Sequence, residues 1–507
     1  MILVKKTGYT ALATTLTTAV NFVSQLVLYP VFVVAFGSSL FGLYTIINKA
    51  SSFLSIVDLR PSACLRYVIA QEQSNSENSQ KKQSQYVSAS VFVAGIMMPL
   101  IMAGGFLLGF AFPGVFKIPG QLVTTARICV LLVAVRLVAQ GFAGVPQAAI
   151  RGNNLEYHLW WVNILQTVLN LGVIIVLLKL KFGLVAIVAV PLTITFCVGG
   201  IEFLIMRKKL PWIRWKKPRA AHVKAMFGYG IWYLMFSLAF QFYQNLDVLL
   251  LGYMANLEAV TVYTISKSLM FRCGEAIANI MNAPTASIGD ILGRRDYEMA
   301  KKARDLTFSA CFFAGIIMST GFILLNSSFV GLWIGSGYYI GNSYNKLIVI
   351  AELLALMTTA ENIVINSSLN FRNRFFCFIA AIGAQTAMTV VLWRYSALGA
   401  VVGGLLAGKL FFFITSFTKC NAILKDSFKR FLFEHARMVV VGASWLLICT
   451  LVPTPNISRW VPMCGAVALV GVVTVGVMFF FGLPGSLKSF LKKTLLSRFA
   501  NRNNIHL

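Results

Sequence analysis

The sequence predicts an all-α polytopic membrane protein of about fourteen transmembrane helices, arranged as two six-helix lobes followed by two C-terminal helices. Three observations carry that prediction. Of the 507 residues, 58% are hydrophobic and only 12% charged, with a mean hydropathy of +0.77, whereas soluble domains carry about 25% charged residues. The apolar residues fall into runs of the ~20 residues that a bilayer-crossing helix needs. A segment of the first half also returns in the second: YTIINKASSF at 44–53 resembles YTISKSLMF at 263–271.

Taken in order, the apolar runs place the first lobe in residues 1–210, with spans near 9–35, 39–66, 86–112, 122–148, 157–179 and 183–206. A basic linker, 211–224, then separates it from a second lobe, 225–420, with spans near 225–253, 258–287, 306–334, 346–369, 374–394 and 396–418. Two further spans, 436–452 and 461–483, and a basic tail make up 421–507. After each copy of the repeated segment comes a polar stretch, QEQSNSENSQKKQSQY at 71–86 and LGRRDYEMAKKARD at 292–305, before the next apolar run. Repeats with an even number of spans keep one orientation, so the lobes are expected to be related by a pseudo-two-fold axis along the membrane normal. Pro30, Pro191, Pro284 and the glycines of VVGGLLAG at 401–408 mark places where spans bend.

Topology follows from charge. With fourteen spans, 32 of the 44 Lys and Arg residues fall on the side of the two termini and 6 on the other. The positive-inside rule therefore puts both termini in the cytoplasm and the protein in the inner, cytoplasmic membrane. The longest basic connection, RKKLPWIRWKKPRAAHVK at 207–224, reads both as a solvated topology determinant on anionic headgroups, with Trp212 and Trp215 at the interface, and as a tether between lobes. The aromatic outer connection GLWIGSGYYIGNSYNK at 331–346 fits an interfacial belt or a sugar contact.

Composition also excludes. The net charge of +28 lies between apolar segments rather than on a soluble basic face, so no nucleic-acid partner is expected. The nine cysteines form no CxxC pair and the four histidines no ligand spacing, so neither disulfides nor a metal site is predicted and no cofactor is expected. A GxxxxGK[ST] nucleotide loop does not occur. Short connections leave little room for a catalytic domain, so the chain is not expected to be an enzyme such as a membrane glycan polymerase or ligase.

Charges inside the spans are where function is expected, because they are costly in lipid and by default face a bundle interior or a water-filled cavity. The cations are Lys49, Arg136, Lys267, Arg272 and Lys409, with Arg127 nearer a span end as an interface anchor. The carboxylates are Asp58, Asp247, Glu275, Glu352 and Glu361. A carboxyl in a low-dielectric pocket can change protonation during a transport cycle. Asp247 is accordingly the first choice for ion coupling or gating, with Glu352 second and Asp58 and Glu275 as further candidates, and H+ or Na+ as the coupling ion. Geometry tempers part of the set. Arg272 and Glu275 share a helix face and can neutralise each other. Lys267 and Arg272 stand about 140° apart around a helix and cannot both point straight at one ligand.

The second span and its approach, FGSSLFGLYTIINKASSFLSIVDLRPSACLRYVIAQ at 36–71, resemble the polysaccharide-flippase branch of the multidrug, oligosaccharidyl-lipid and polysaccharide exporter (MOP) superfamily. The segment FQFYQNLDVLLLGYMANLEAVTVYTISKSL at 240–269 is similar to the same family's second-half entry, including Asp247 and Tyr263. Where that branch commonly has Asp-Leu-Gly, this chain reads Asp58-Leu59-Arg60-Pro61, which adds a cation at Arg60. The resemblance implies a flippase that moves a polyprenyl-pyrophosphate-linked oligosaccharide, such as an O-antigen unit, by alternating access for surface polysaccharide biosynthesis. Membrane lipids and polysaccharide assembly proteins would be its partners. On that reading Lys49, Arg60, Arg136, Lys267, Arg272 and Lys409 would bind the pyrophosphate and glycan, Arg as a planar fork and Lys as a point charge. Two relatives of the same superfamily stay open beside it: a multidrug or cation antiporter, and a peptidoglycan-precursor flippase.

Overall fold

The computed structural model describes residues 2–54, 65, 69, 77–153, 155, 158–218, 220, 222–224, 231–282, 285–368 and 371–482. Asp58, Arg60 and Pro284 lie outside the described residues. Among the described residues every regular element is a helix, as the apolar periodicity requires. In lipid a helix satisfies all its own backbone groups. The chain divides into two compact units, Met1–Thr261 and Val262–Leu507.

The first unit contains α1 (Ile2–Leu54), α2 (Glu77–Val115), α3 (Val123–Gly152), α4 (Trp160–Lys179), α5 (Leu184–Lys209), α6 (Ile231–Met254) and the first turn of α7 (Leu257–Met281). Spans one and two, expected to be separated at residues 36–38, are two helices that meet there within α1. Gly37 carries the only non-helical dihedrals of α1, φ 78° and ψ 174°, a conformation that glycine adopts without a Cβ penalty. The two helices fold back on each other at that residue: the Phe32 and Tyr44 rings lie 4.9 Å apart, where a straight helix over the same residues would separate them by about 18 Å. Pro30 and Pro191 sit inside α1 and α5. Helix α3 packs against α2 and α5, and α4 against α1.

The first part of the basic linker is neither loose nor fully solvated. Leu210 and Ile213 are buried in a cluster with Leu65, Ile69, Val87, Ala149 and Ile150. The Ser84 hydroxyl donates to the Trp212 carbonyl at 2.9 Å, the Trp212 indole donates to Gln83 Oε1 at 3.2 Å, and the Lys216 N–H donates to Ser88 Oγ at 3.0 Å. Residues 210–216 are thus stitched to the start of α2 within this unit, while Trp215 keeps its indole exposed.

The second unit holds the rest of α7, then α8 (Thr285–Gly293), α9 (Tyr297–Trp333), α10 (Asn342–Ser367), α11 (Phe371–Leu392), α12 (Ala397–Leu424), α13 (Phe428–Leu451) and α14 (Trp460–Val477), which runs into a π-helical turn at Met478–Gly482. Capping side chains set several starts. Asp296 accepts from the Met299 N–H at α9, Ser396 from Gly399 at α12 and Ser427 from Arg430 at α13. Helices α9 and α10 are the most buried spans and α14 the least. The glycines of α12, expected to bend it, instead let it pack: a Cβ on Gly404 would overlap Thr389 Oγ1 and come within 2.8 Å of the Gln385 carbonyl on α11.

Eleven helices among the described residues are long and apolar enough to cross a bilayer, which makes this a multi-pass membrane protein. The expected first span and the described part of the second, 39–54, are the two helices of α1, which count together as one of the eleven, and the seventh and eighth correspond to α6 and α7, which are outside the eleven. Composition explains why. Helix α6 carries Gln241, Gln244, Asn245 and Asp247, and α7 carries Glu258, Lys267, Arg272 and Glu275.

Candidate functional site

In the second unit the polar residues of α7 are met by partners from α9, α10 and the connection before α10. Lys267 Nζ lies 3.5 Å from Glu352 Oε1 of α10, with the two side chains 12% and 5% exposed. The ammonium also reaches the Tyr263 hydroxyl at 3.4 Å and sits 5.5 Å from the Tyr263 ring centroid and 5.7 Å from that of Phe271. Both charged residues stand ten positions into their helices, about 15 Å along the axis, which puts Glu352 well inside a candidate membrane span. The sequence assigned Lys267 to substrate and Glu352 to coupling. The structure makes them one ion pair.

One helical position away, Ser266 anchors the aromatic connection. The Ile340 N–H donates to Ser266 Oγ at 2.9 Å, Ser266 Oγ donates to the Tyr338 carbonyl at 3.2 Å, and Asn326 Nδ2 donates to the Ser266 carbonyl at 3.1 Å. Asn326 also bonds Asn345 Oδ1 at 2.7 Å. The Tyr339 hydroxyl donates to Asn342 at 2.8 Å, and burial pushes its pKa up to about 12. This connection therefore holds α7 in place beside Lys267, a role neither the belt nor the sugar contact anticipated.

Arg272 and Glu275 pair at 2.7 Å on a partly exposed face, 36% and 47% accessible, as their spacing allowed. Lys409 of α12 is 4% exposed and Asp247 of α6 1%. In the first unit Lys49 and Arg136 are half-buried on α1 and α3, and Arg136 interacts electrostatically with Tyr44. The structure brings together Lys267 with Glu352 and Arg272 with Glu275. Arg127 lies over the Phe110 ring at 5.4 Å, consistent with its reading as an anchor.

A larger charged cluster went unread in the sequence. Arg304, counted there among the basic residues of a connection, is fully buried in α9. Its guanidinium meets Asp426 at 2.7 Å, Asp305 at 3.2 Å, Asn421 Oδ1 at 3.3 Å and Glu361 at 3.7 Å, and stacks 4.3 Å from the Phe431 ring centroid. Arg430 of α13 meets Asp426 Oδ1 at 2.6 Å, Asp305 Oδ2 at 2.9 Å and Glu434 Oε2 at 2.7 Å. Burial works against ionisation of Asp426, but hydrogen bonds from Arg430 and the Ser427 N–H, with the charges of Arg430 and Arg304, outweigh it and hold the carboxyl below its ordinary 3.8. The cluster ties α9, α10, α12 and α13 together at one end of the unit. Its sequence signals are Glu361, already counted among the carboxylates inside the spans, and Asp305 beside Arg304 in a stretch that looked like solvent.

The family model described as polysaccharide biosynthesis protein matches residues 36–288. Among solved structures, the lipid II flippase MurJ in an inward closed conformation superposes with a TM-score of 0.68 at 13% identity, covering 93% of this chain and 98% of that one. The fold is MurJ-like. An inward-facing multidrug resistance MATE family transporter of the MOP superfamily gives 0.63 at 15% identity, over 80% and 96% of the two chains. A MOP superfamily transporter from Pyrococcus furiosus, described for the reverse polarity of its binding pocket, gives 0.51 at 16% over 83% and 94%. No curated protein sequence matches the chain. At these identities the structural likenesses are of fold. The family match over 36–288 takes in both segments, 36–71 and 240–269, from which the resemblance to polysaccharide flippases is read.

Proposed function

We propose that this protein carries a polyprenyl-pyrophosphate-linked oligosaccharide from the cytoplasmic to the outer leaflet by alternating access, as a step of surface polysaccharide biosynthesis, without catalysing a reaction. The observation that carries this reading is the ion pair of Lys267 with Glu352, which lies well inside a candidate membrane span, in a fold and family context of flippases and polysaccharide proteins. A glycan cannot cross hydrocarbon unaided, since each unsatisfied hydroxyl costs roughly 2–7 kcal/mol, and a pyrophosphate needs cations inside the membrane. Lys49, Arg136, Lys267 and Lys409 supply cations in the described spans, and Arg60 adds one in the sequence.

The pair also gives a coupling step. Lys267 holds Glu352 while no anion is present. An arriving phosphate competes for the ammonium, leaving Glu352 to take up a proton or sodium ion, and loss of that ion from Glu352 lets the carboxylate recapture Lys267 and release the phosphate. Asp247, buried in α6, remains the second carboxylate proposed for coupling, and Arg272–Glu275 is the gating pair nearest the surface. The test is glycan export by cells carrying Lys267→Ala or Glu352→Gln, with insertion checked in parallel. Loss of export in the first, and export that no longer responds to the ion gradient in the second, is expected. Full export by the first variant refutes Lys267 as a ligand.

A further inference from the structure

The first unit contains a polar pocket that the pyrophosphate reading does not use. It encloses about 460 Å3, within the ~300–1,000 Å3 usual for small-molecule sites. Helix α4 lines it with Asn163, Gln166, Thr167 and Asn170, spaced i, i+3, i+4 and i+7 and so on one face. Helix α1 contributes Asn21 and Gln25, and Arg151 stands at the end of α3. The rest of α4 is apolar, with a mean hydropathy of 2.0 over the span. A row of amides in such a helix is costly unless it is used.

Interhelical bonding is one use of polar residues in membranes, and one such bond is made: the Thr167 hydroxyl donates to Asn21 Oδ1 at 2.9 Å. That hydroxyl has a single proton, and the Asn163 carbonyl competes for it at 3.1 Å. Bonding between helices explains neither the cavity nor Asn170, whose Oδ1 is buried with no hydrogen-bond partner among the described residues. A side-chain amide offers two donor hydrogens and two acceptor lone pairs in a fixed plane. Several amides facing one cavity complement sugar hydroxyls, each of which both donates and accepts. Neutral amides have little use for a lipid tail or a hydrophobic cation.

We propose that this pocket between α1, α3 and α4 is a carbohydrate subsite, which binds sugar residues of the transported glycan and supplies head-group selectivity that a pyrophosphate contact cannot. The proposal rests on the flippase reading above. Its test uses the purified full chain in lipid nanodiscs and two probes: oligosaccharide released by mild acid from the polyprenyl-pyrophosphate pool of the source cell, and polyprenyl pyrophosphate without glycan. The double variant Gln166→Leu/Asn170→Leu is expected to bind released oligosaccharide at least tenfold more weakly while binding polyprenyl pyrophosphate as the wild type does. Thr193→Val on α5, a hydroxyl outside the pocket that bonds only within its own helix turn to the Ala189 carbonyl, is expected to stay within twofold of wild type on both probes. If the double variant loses both probes, Gln166→Ala is judged by the same criterion. Unchanged oligosaccharide binding by the double variant overturns the subsite, as does a loss of both probes in Gln166→Ala accompanied by a lowered melting temperature, which marks a packing seam. Flipping in vesicles separates the two claims. A wild type that moves no lipid-linked oligosaccharide overturns the flippase reading and the subsite with it, whereas equal flipping by wild type and double variant overturns the subsite alone.

Discussion

At the scale of single residues, the charges of the second unit divide into a pair that can exchange partners and a cluster built to stay closed. Lys267 and Glu352 touch at 3.5 Å, a contact for which an arriving phosphate can compete. A charge-assisted hydrogen bond contributes about 1.5–3 kcal/mol, which predicts that Lys267→Ala weakens pyrophosphate binding by roughly ten- to a hundred-fold, measured by titration of the purified protein with polyprenyl pyrophosphate. The Arg304 cluster behaves otherwise. Removing its central cation by Arg304→Met leaves Asp305, Glu361 and Asp426 facing one another, and breaking a buried pair in this way costs about 3–5 kcal/mol. A melting temperature lowered well beyond that of Arg272→Met, whose pair is partly exposed, is the expected reading. Asp426 also gives a pH dependence. Its folded pKa is depressed, so its stabilisation is complete above the unfolded value of about 3.9 and is lost as the pH falls through the folded value. Thermal unfolding from about pH 6 down to about pH 3 should show a loss of stability below about pH 4 that is smaller in Asp426→Asn.

At the scale of elements, much was legible because hydropathy and charge are local. The runs that became α2 to α5 and α9 to α14 are read directly from their apolar lengths, since a helix in lipid needs no partner to satisfy its backbone. What local pattern does not contain is who faces whom. Arg304 and Asp305 lie in LGRRDYEMAKKARD, whose composition is that of a solvated connection, and only the arrival of Glu361 and Asp426 from 57 and 122 positions further along buries them. The pairing of Lys267 with Glu352 is hidden for the same reason. The amide face of α4 was in principle legible, since Asn163, Gln166, Thr167 and Asn170 recur at helical spacing in an apolar run, but charge draws attention first. Glycine meaning also depends on the neighbour. Gly404 reads as a hinge in sequence and is a contact in the fold. Gly404→Leu is therefore expected to destabilise by about 1–3 kcal/mol through overpacking against Thr389 and Gln385. A hinge role predicts instead a slower cycle at unchanged stability, and thermal unfolding with transport rate in one set of proteoliposomes tells these apart.

For the whole molecule, two compact units, a duplicated segment and interior charge fit a transporter that works by alternating access, and the family match over 36–288 connects it with polysaccharide biosynthesis. The stitched linker bears on this. Residues 210–216 are fixed to α2 within the first unit, so this part of the basic connection is structural rather than a loose tether. Trp212→Ala with Ser88→Ala, which frees that segment, is expected to alter transport rate more than substrate affinity. The most direct measurement is translocation of a labelled polyprenyl-pyrophosphate oligosaccharide in vesicles holding only this protein, followed by the exposure of the glycan to an impermeant oxidant. Ion-gradient-dependent movement by the wild type and at least a tenfold loss in Lys267→Ala is the predicted result. Vesicles in which the wild type leaves the glycan on its original side, or chemically alters it without moving it, would contradict a flippase.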